Sequence, residues 1–135
     1  MTVERINPPQ VAPPVAYYSH LAVVPADHKL LVLSGQVGNR LDGSIPDSLD
    51  EQFELAMQNI LAILKSQGAG PEDVVKLSCF LSERPQNFVR IGAALRSAFP
   101  GKPPAQTFLI VAGLALPNLK VEIEATAAIW STAAP

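Results

Sequence analysis

The middle of the chain carries the pattern of a long amphipathic helix, which needs a second layer to cover its apolar face. Ser48 followed by Glu51 has the spacing of a capping box, in which the serine accepts a bond from a free amide and the glutamate reaches back to the cap. Behind it, an apolar stripe recurs every three or four residues at Leu49, Phe53, Met57, Ile60 and Leu64. Gly68 stands where a left-handed residue ends a helix. These signals predict a helix of roughly twenty residues.

Alternating apolar and polar residues on both sides of this helix predict β-strands. Before it, the stretches 20–24 and 29–37 flank a short turn and predict a β-hairpin. After it we expect a strand at 73–81, a second helix from about Pro85 with the stripe Phe88, Ile91, Leu95 and Phe99, and strands at 105–114 and 119–130. The order β-β-α-β-α-β-β predicts an α+β fold, with two helices on one face of a mostly antiparallel sheet.

The predicted strands carry more apolar side chains than one covered face requires, including Phe80, Phe108 and Ile110. Only 16% of residues are charged and 48% are hydrophobic, whereas an average soluble domain has about 25% charged residues. Because the helices cover one face only, a second layer must come from elsewhere. Packing against identical subunits is an economical source, so we expect a homo-oligomer.

Length and composition limit the remaining possibilities. The chain has 135 residues, which fits one domain over 1–135, and four prolines make residues 1–15 an extended arm. With 10 basic and 12 acidic residues the net charge is −2, so we expect no nucleic-acid partner. No apolar run approaches the roughly 20 residues of a membrane helix, and no secretory signal is visible, so we expect no membrane partner and a cytoplasmic location.

The single cysteine, Cys79, alternates with apolar residues of its strand and is interpreted as a buried packing thiol, with a nucleophile as the less favoured alternative. No cluster of cysteines and histidines predicts a metal site, and no glycine-rich phosphate loop is present. We therefore expect neither a metal nor another cofactor.

Glu122 and Glu124 are the most informative candidates for chemistry. Carboxylates two residues apart on a strand point to the same side, and one of such a pair can exchange protons near neutral pH when the two are not fully solvated. Lys120 and Thr126 share that side, however, so a solvated strand face is the simpler interpretation. Spacing alone does not separate the two.

Several sequence blocks occur in one order: Tyr18-Ser19-His20, Leu33-Ser34-Gly35-Gln36, Asp73-Val74-Val75-Lys76 with Cys79-Phe80-Leu81, Pro104-Ala105, and Lys120-Val121-Glu122-Ile123-Glu124-Ala125. Together they resemble the Rid family of enamine/imine deaminases, some of which have been labelled endoribonucleases of the L-PSP type. The resemblance covers residues 15–130. It implies a chorismate-mutase-like fold, assembled as a homotrimer with three clefts at the subunit interfaces.

The activity implied by the resemblance is hydrolysis of a C=N bond in a reactive small molecule, with release of ammonia. Residue by residue, the resemblance makes Glu122 the carboxylate that activates water and Tyr18 the tyrosine lining the cleft. Ser34 and Gly35 form part of the cleft wall. Main-chain groups of Thr107 or Phe108 contribute to the site, a role that does not depend on their side chains.

The chain departs from the family pattern at its carboxylate anchor. Deaminating members carry an arginine in the segment equivalent to 104–107, where this chain has Gln106. Arginine binds a carboxylate through two parallel charge-assisted hydrogen bonds, so a neutral amide is expected to lose more than about tenfold in affinity. Gly92 also replaces a frequent asparagine. Arg96 and Lys102 are near enough in sequence to supply a charge, although long basic side chains are usually solvated.

Two main hypotheses follow. The first is a Rid-type deaminase whose substrate is an imine or enamine other than a simple 2-imino acid. The second is a trimeric protein of the same fold that binds a small metabolite without catalysis. A third, RNA cleavage, follows only from the family label and is opposed by the net charge of −2 and the lack of a basic cluster.

Overall fold

A central sheet of five strands organises the computed structural model, which describes residues 2–131. Residues 1 and 132–135 of the expected 1–135 domain lie outside the described residues. The elements in chain order are β1 (Glu4–Ile6), β2 (Leu21–Val23), β3 (His28–Val32), β4 (Gln36–Val37), α1 (Leu49–Ser66), β5 (Val74–Leu81), α2 (Val89–Ala98), β6 (Ala105–Ile110) and β7 (Val121–Trp130).

The sheet order is β3-β7-β5-β6, and β4 pairs with β7 beside β3. Strand β7 is antiparallel to β3, β4 and β5, whereas β5 and β6 run parallel. Both helices contribute to one core cluster with β5 and β7, so they cover the same face. The expected α+β fold with a mostly antiparallel sheet is confirmed.

The predicted hairpin between the second and third strands is wrong. Strand β2 pairs with β1 in a separate two-stranded sheet, with Leu21 opposite Ile6. Strand β3 pairs instead with β7, with Leu31 opposite Ala127. The turn between β2 and β3 does form, with Asp27 at a φ of 64°. A turn signal locates the reversal of the chain but does not fix the partner, and the ten-residue β7 offers a longer partner for β3.

Helix α1 begins and ends where the sequence predicts. Ser48 Oγ accepts from Glu51 N at 3.2 Å, as one half of the expected capping box requires. The Glu51 carboxylate, which would form the other half, lies 3.7 Å from the Arg40 guanidinium instead. Gly68 has a φ of 72°, and its amide and that of Ala69 donate to carbonyls of the last helical turn, as in a Schellman motif. No helix within residues 2–131 is long and apolar enough to cross a membrane.

Helix α2 begins at Val89 rather than near Pro85, because Asn87 Oδ1 accepts from the Val89 amide at 3.0 Å and marks the first turn. Its buried side chains include Ile91 and Leu95, as the apolar stripe predicts. This helix packs beside α1 and over the side of the sheet that includes β6.

Within residues 2–131, much of the opposite face of the sheet is left uncovered. Leu30, Val32 and Leu109 are 58%, 77% and 46% exposed, and pair register places them on the side away from the helices. Phe108 and Ile110 lie on the helix side, because their register neighbours Cys79 and Leu81 belong to the core beneath the helices. They are therefore not part of the apolar surplus of the uncovered face, contrary to the sequence prediction. Phe80 does point away from the helices, opposite Leu109.

Residues 2–15 hold a strand as well as extended chain, since β1 lies within them. Arg5 of β1 is 9% exposed, and its guanidinium donates to the carbonyls of Pro71 at 2.7 Å, Val74 at 2.9 Å and Lys102. Sequence analysis did not single out this contact. It ties the first residues of the chain to the turn before β5 and to the loop before β6.

Candidate functional site

Glu122 lies on the uncovered face of the sheet, half-buried near the start of β7. It is opposite Phe80 of β5 on one side and Val37 of β4 on the other. Its side chain lies against Gly35, where a Cβ would stand 2.1 Å from Glu122 Oε2. Within residues 2–131 the carboxylate accepts no hydrogen bond and joins no ion pair, so both oxygens are free to act on a ligand or water.

Gly35 and Ser34 form the short connection between β3 and β4. The chain is held in place beside them because the Leu33 amide donates to the Ala125 carbonyl of β7 at 3.0 Å. Ser34 is exposed, and its carbonyl accepts from Gln36 Nε2 at 3.2 Å. The structure therefore brings Gly35 against Glu122, and Ser34 is its neighbour in the chain.

Gln52 fixes the start of β7, a role that sequence analysis missed. Its side chain is fully buried on α1, with Nε2 donating to the carbonyls of Pro46 at 2.8 Å and Asn118 at 3.1 Å. Its Oε1 accepts from the Lys120 amide at 2.8 Å, two residues before Glu122. A polar residue among the apolar positions of a helix is the sequence signal that would have identified it.

A cavity of about 500 Å³ lies on the other face, between α2, β6 and the segment before β2. Its lining is mostly aromatic and aliphatic, with one amide and one guanidinium: Val15, Ala16, Tyr17, Tyr18, Phe88, Ile91, Gly92, Leu95, Arg96, Gln106 and Phe108. Volume and lining suit a small organic molecule with an apolar body and few polar groups.

Gln106 reaches this cavity from β6. Its Oε1 is buried and has no hydrogen-bond partner within residues 2–131. Buried side-chain acceptors are nearly always paired, with protein or with ordered water, so this oxygen is available to accept a hydrogen bond from a ligand or a water molecule. Phe108, two residues along the strand, forms the adjacent wall and contacts the rings of Phe53 and Phe88, whose centroids are 6.3 and 6.0 Å away.

Arg96 lines the same cavity from α2, whereas Lys102 does not. The Arg96 guanidinium carbon stands 5.4 Å from the centroid of the Tyr17 ring. Lys102 Nζ donates instead to the Arg5 carbonyl at 3.4 Å, next to the N-terminal strand. The i, i+4 spacing of Gly92 and Arg96 on a helix is the signal that places the arginine over the glycine.

The two neighbouring tyrosines have different roles. Tyr18 is half-buried in the cavity wall, and its hydroxyl accepts from the Val15 amide at 3.4 Å. The Tyr17 hydroxyl is within hydrogen-bond distance of the carbonyls of Phe99 and Gly101, the latter at 2.9 Å. Sequence analysis named Tyr18 only. Tyr17 is anchored at the end of α2 and carries Arg96 on its ring.

The candidate residues thus fall into two groups on opposite faces of the sheet. Glu122, with Ser34 and Gly35, is on the uncovered face, while the cavity that contains Gln106, Tyr18 and Phe108 is on the helix side. Thr107 belongs to neither group by contact, because its hydroxyl accepts from Lys76 Nζ at 2.9 Å. Within the described residues the two groups do not meet.

Other chemistries find little support among the described residues. Within residues 2–131 no group of three or more histidine, cysteine, aspartate or glutamate side chains could hold a metal ion. Cys79 is fully buried, and this burial raises the pKa of its thiol well above the usual range, which opposes a nucleophilic role. What remains is a free carboxylate on one face and an apolar cavity with an amide and a cation on the other.

Comparison with known proteins identifies the family to which the chain is related. The profile of the family described as Endoribonuclease L-PSP matches residues 9–129. AldR of Lactococcus lactis, which is named as a candidate regulator, is 39% identical over 104 residues, covering 76% of this chain and 81% of that protein. The 2-iminobutanoate/2-iminopropanoate deaminase of Dermatophagoides farinae is 30% identical over 132 residues, covering 96% and 99%.

Solved structures agree with the sequence comparison. The Rid-family protein YyfB of Yersinia pestis, whose function is described as unknown, superposes with a TM-score of 0.86 at 33% identity, covering 96% of this chain and all of that one. The expected chorismate-mutase-like fold is thereby confirmed. The chain belongs to the Endoribonuclease L-PSP family, the family of the Rid proteins.

Proposed function

We propose that this protein hydrolyses a reactive imine or enamine, releasing ammonia, at clefts between the subunits of a homotrimer. The observation that carries the proposal is the free Glu122 carboxylate held against Gly35, in a chain whose family includes an imine deaminase. The cytoplasmic location expected from the sequence remains a prediction.

The reaction needs a base, and Glu122 is suited to that role. Its carboxylate takes a proton from water as the water oxygen attacks the carbon of the C=N bond. Glu122 gives this proton to the nitrogen, which produces a carbinolamine with a hydroxyl and an amino group on one carbon. Glu122 then takes the hydroxyl proton and delivers it to the amino group, the C–N bond breaks, and ammonia leaves as the C=O bond forms. No redox step or metal is required.

The proposed assembly is supported by the separation of the two groups. Glu122 and the cavity lie on opposite faces of one sheet, so a single molecule cannot bring them to the same ligand. The exposed leucines and valine of the uncovered face supply an apolar surface for contact with another copy. In a closed trimer, Glu122 of each chain would face the cavity of its neighbour, producing three equivalent clefts.

The substrate is proposed to differ from the simplest 2-imino acids. Gln106 offers a neutral amide to the cavity, and a three- or four-carbon acid would fill little of about 500 Å³. RNA is opposed as a substrate by the net charge of −2, since cleavage of a polyanion requires a basic surface.

A second function is favoured by the same amide. If residue 106 cannot orient a substrate, the cleft would serve to bind a small metabolite without turnover. The similarity to AldR, named as a candidate regulator, is consistent with such a role for this chain. Binding without ammonia release would support this alternative.

The decisive experiment compares Glu122→Gln with Glu124→Gln. Both carboxylates lie on the same strand face, but Glu124 is exposed and one pair further along, opposite Ser78. Imines are generated in the assay from a panel of amino acids by an amino-acid oxidase, and hydrolysis is followed as ammonia release. We expect loss of at least about a hundredfold in Glu122→Gln and little change in Glu124→Gln. Equal activity of Glu122→Gln and wild type would contradict the proposed role.

A further inference from the structure

The cavity beside Gln106 is lined by one positively charged side chain, Arg96, which has no role in the proposed reaction. We propose that Arg96 binds the anionic group of the ligand on the α2 side of this cavity, while Gln106 accepts a hydrogen bond from a donor on the same ligand. The inference rests on the proposed function for the reaction itself and names its substrate class: imines or enamines that combine a carboxylate with a bulky apolar body.

Arg96 is an exposed residue, but its guanidinium has a defined position on the protein surface. It stacks on the ring of Tyr17, and Tyr17 is itself fixed by its hydroxyl contacts with the carbonyls of Phe99 and Gly101. A side chain held in this way loses little conformational entropy when it binds a ligand. The planar guanidinium is also the best protein group for two-point recognition of a carboxylate.

The charge of Arg96 has no carboxylate partner in the part of the chain that the structure describes. Two other arginines, Arg40 and Arg90, pair with Glu51 and Glu54. Within residues 2–131 Arg96 forms neither an ion pair nor a hydrogen bond to a carboxylate. A positioned cation beside apolar walls attracts an anion more strongly than a solvated one does.

Gly92 provides the space that Arg96 occupies. A Cβ at this position would stand 2.8 Å from an Arg96 guanidinium nitrogen. Glycine inside a helix is otherwise unfavourable relative to alanine, and α2 tolerates it one turn before the arginine. The absence of a side chain at Gly92 therefore lets the guanidinium lie across the helix surface beside the cavity.

Gln106 completes the recognition from β6. Its buried Oε1 lacks a donor, so a ligand N–H or O–H that reaches it would satisfy an acceptor that is otherwise unpaired. Most of the remaining lining is apolar, with Phe88, Leu95 and Phe108 among it. A ligand that pairs with Arg96, with Gln106 and with the apolar walls has a carboxylate, a hydrogen-bond donor and an apolar side chain.

Binding of a product analogue tests this assignment without requiring turnover. The probes are 2-oxo-3-phenylpropanoate and its uncharged primary amide, titrated by calorimetry into the full-length protein. We expect Arg96→Gln to weaken binding of the carboxylate by about tenfold or more, and to leave binding of the amide within about twofold. Arg90→Gln is the matched control, since Arg90 is on the same helix but pairs with Glu54 outside the cavity.

Gly92→Ala provides a second test in which the arginine is retained. The added methyl group displaces the guanidinium, so carboxylate binding should weaken while the helix is kept or stabilised. Equal affinity of Arg96→Gln and wild type for the carboxylate would overturn the inference. So would a wild-type protein that binds the amide as tightly as the acid.

Ammonia release separates failure of this inference from failure of the proposed function. If the imine of phenylalanine is hydrolysed in a Glu122-dependent way but Arg96→Gln retains the wild-type KM, the function stands and the inference is wrong. If no imine is hydrolysed while Arg96→Gln still loses carboxylate binding, the inference stands as a binding site and the proposed reaction is wrong.

Discussion

The Glu122 carboxylate lies so close to Gly35 that a Cβ at residue 35 would stand 2.1 Å from Oε2. Gly35→Ala is therefore expected to displace the carboxylate and lower imine hydrolysis by about tenfold or more, because a base must be held within hydrogen-bond reach of its water. The backbone of Gly35 is outside the left-handed region, and the contact is with the end of a flexible side chain, so stability should change little.

Gly113→Ala is the matched control for this substitution. A Cβ there would meet nothing within 4 Å, and Gly113 also has an ordinary φ. Kinetics of ammonia release and thermal melting of both variants provide the comparison. If Gly35→Ala were as active as Gly113→Ala, the contact with Glu122 would have no part in activity.

Gln106→Arg is expected to raise kcat/KM for freshly generated 2-iminopropanoate by about tenfold or more. An arginine at 106 restores two charge-assisted bonds to the substrate carboxylate, where the amide offers neutral ones. Gln58→Arg adds the same charge at an exposed position of α1 and should have no such effect. A wild-type enzyme that already hydrolyses 2-iminopropanoate rapidly would show that the neutral amide is no obstacle.

The sequence predicts what depends on local signals and fails where the answer depends on distant pairing. Helix α1 is bounded by Ser48 and Gly68, both of which act within one turn of the helix end. The pairing of β3 with β7 joins residues about a hundred positions apart, which no turn signal encodes. The side on which Phe108 lies is not predictable from its own strand, because it depends on the register with Cys79.

The candidate site shows the same division. Resemblance could name Glu122 and Gln106, but their location on opposite faces follows only from the pairing of β5 with both β6 and β7. The sequence indicates Arg96 as a source of charge, yet its place over Tyr17 depends on how α2 packs on the segment before β2. Sequence periodicity describes one element at a time and cannot give that packing.

Val32→Asp is expected to dissociate the assembly. Val32 is 77% exposed in one chain and lies on the uncovered face, so a charge there would be buried against a neighbour but solvated in a monomer. Light scattering after size exclusion should give a lower mass for this variant, with loss of hydrolysis because Glu122 and the cavity then separate. Leu41→Asp, at a fully exposed loop position, is the control. Identical masses for wild type and Val32→Asp would exclude this face as the interface.

Arg5→Met is expected to reduce the free energy of unfolding by about 2–4 kcal/mol, because three carbonyls would lose a charged donor. Burial lowers the pKa of the Arg5 guanidinium, but an arginine remains protonated at any working pH. Urea unfolding measures the loss, and Arg84→Met at an exposed position is the control. A change no larger than that of the control would mean that β1 is held by its pairing with β2 alone.

The buried thiol of Cys79 should make stability fall in alkaline solution. Burial raises the pKa of the thiol in the folded protein, whereas in the unfolded chain its pKa is about 8.5. The contribution is therefore fully present below that value and is lost as pH rises above it, since only the unfolded chain releases the proton. Between about pH 8.5 and 10 the slope should approach 1.4 kcal/mol per pH unit.

Cys79→Ala isolates this effect, because it removes the titrating group and retains a small apolar side chain. Its absolute stability at pH 7.5 should be lower owing to the space left in the core. The measurement is urea unfolding of the reduced proteins at pH 7.5 and 9.5, and the comparison is the difference between the two pH values for each protein. Wild type should lose about 1.4 kcal/mol more than Cys79→Ala across this interval. Parallel losses in the two proteins would show that the thiol ionises as readily in the fold as in the unfolded chain, and hence that the core around β5 opens to solvent.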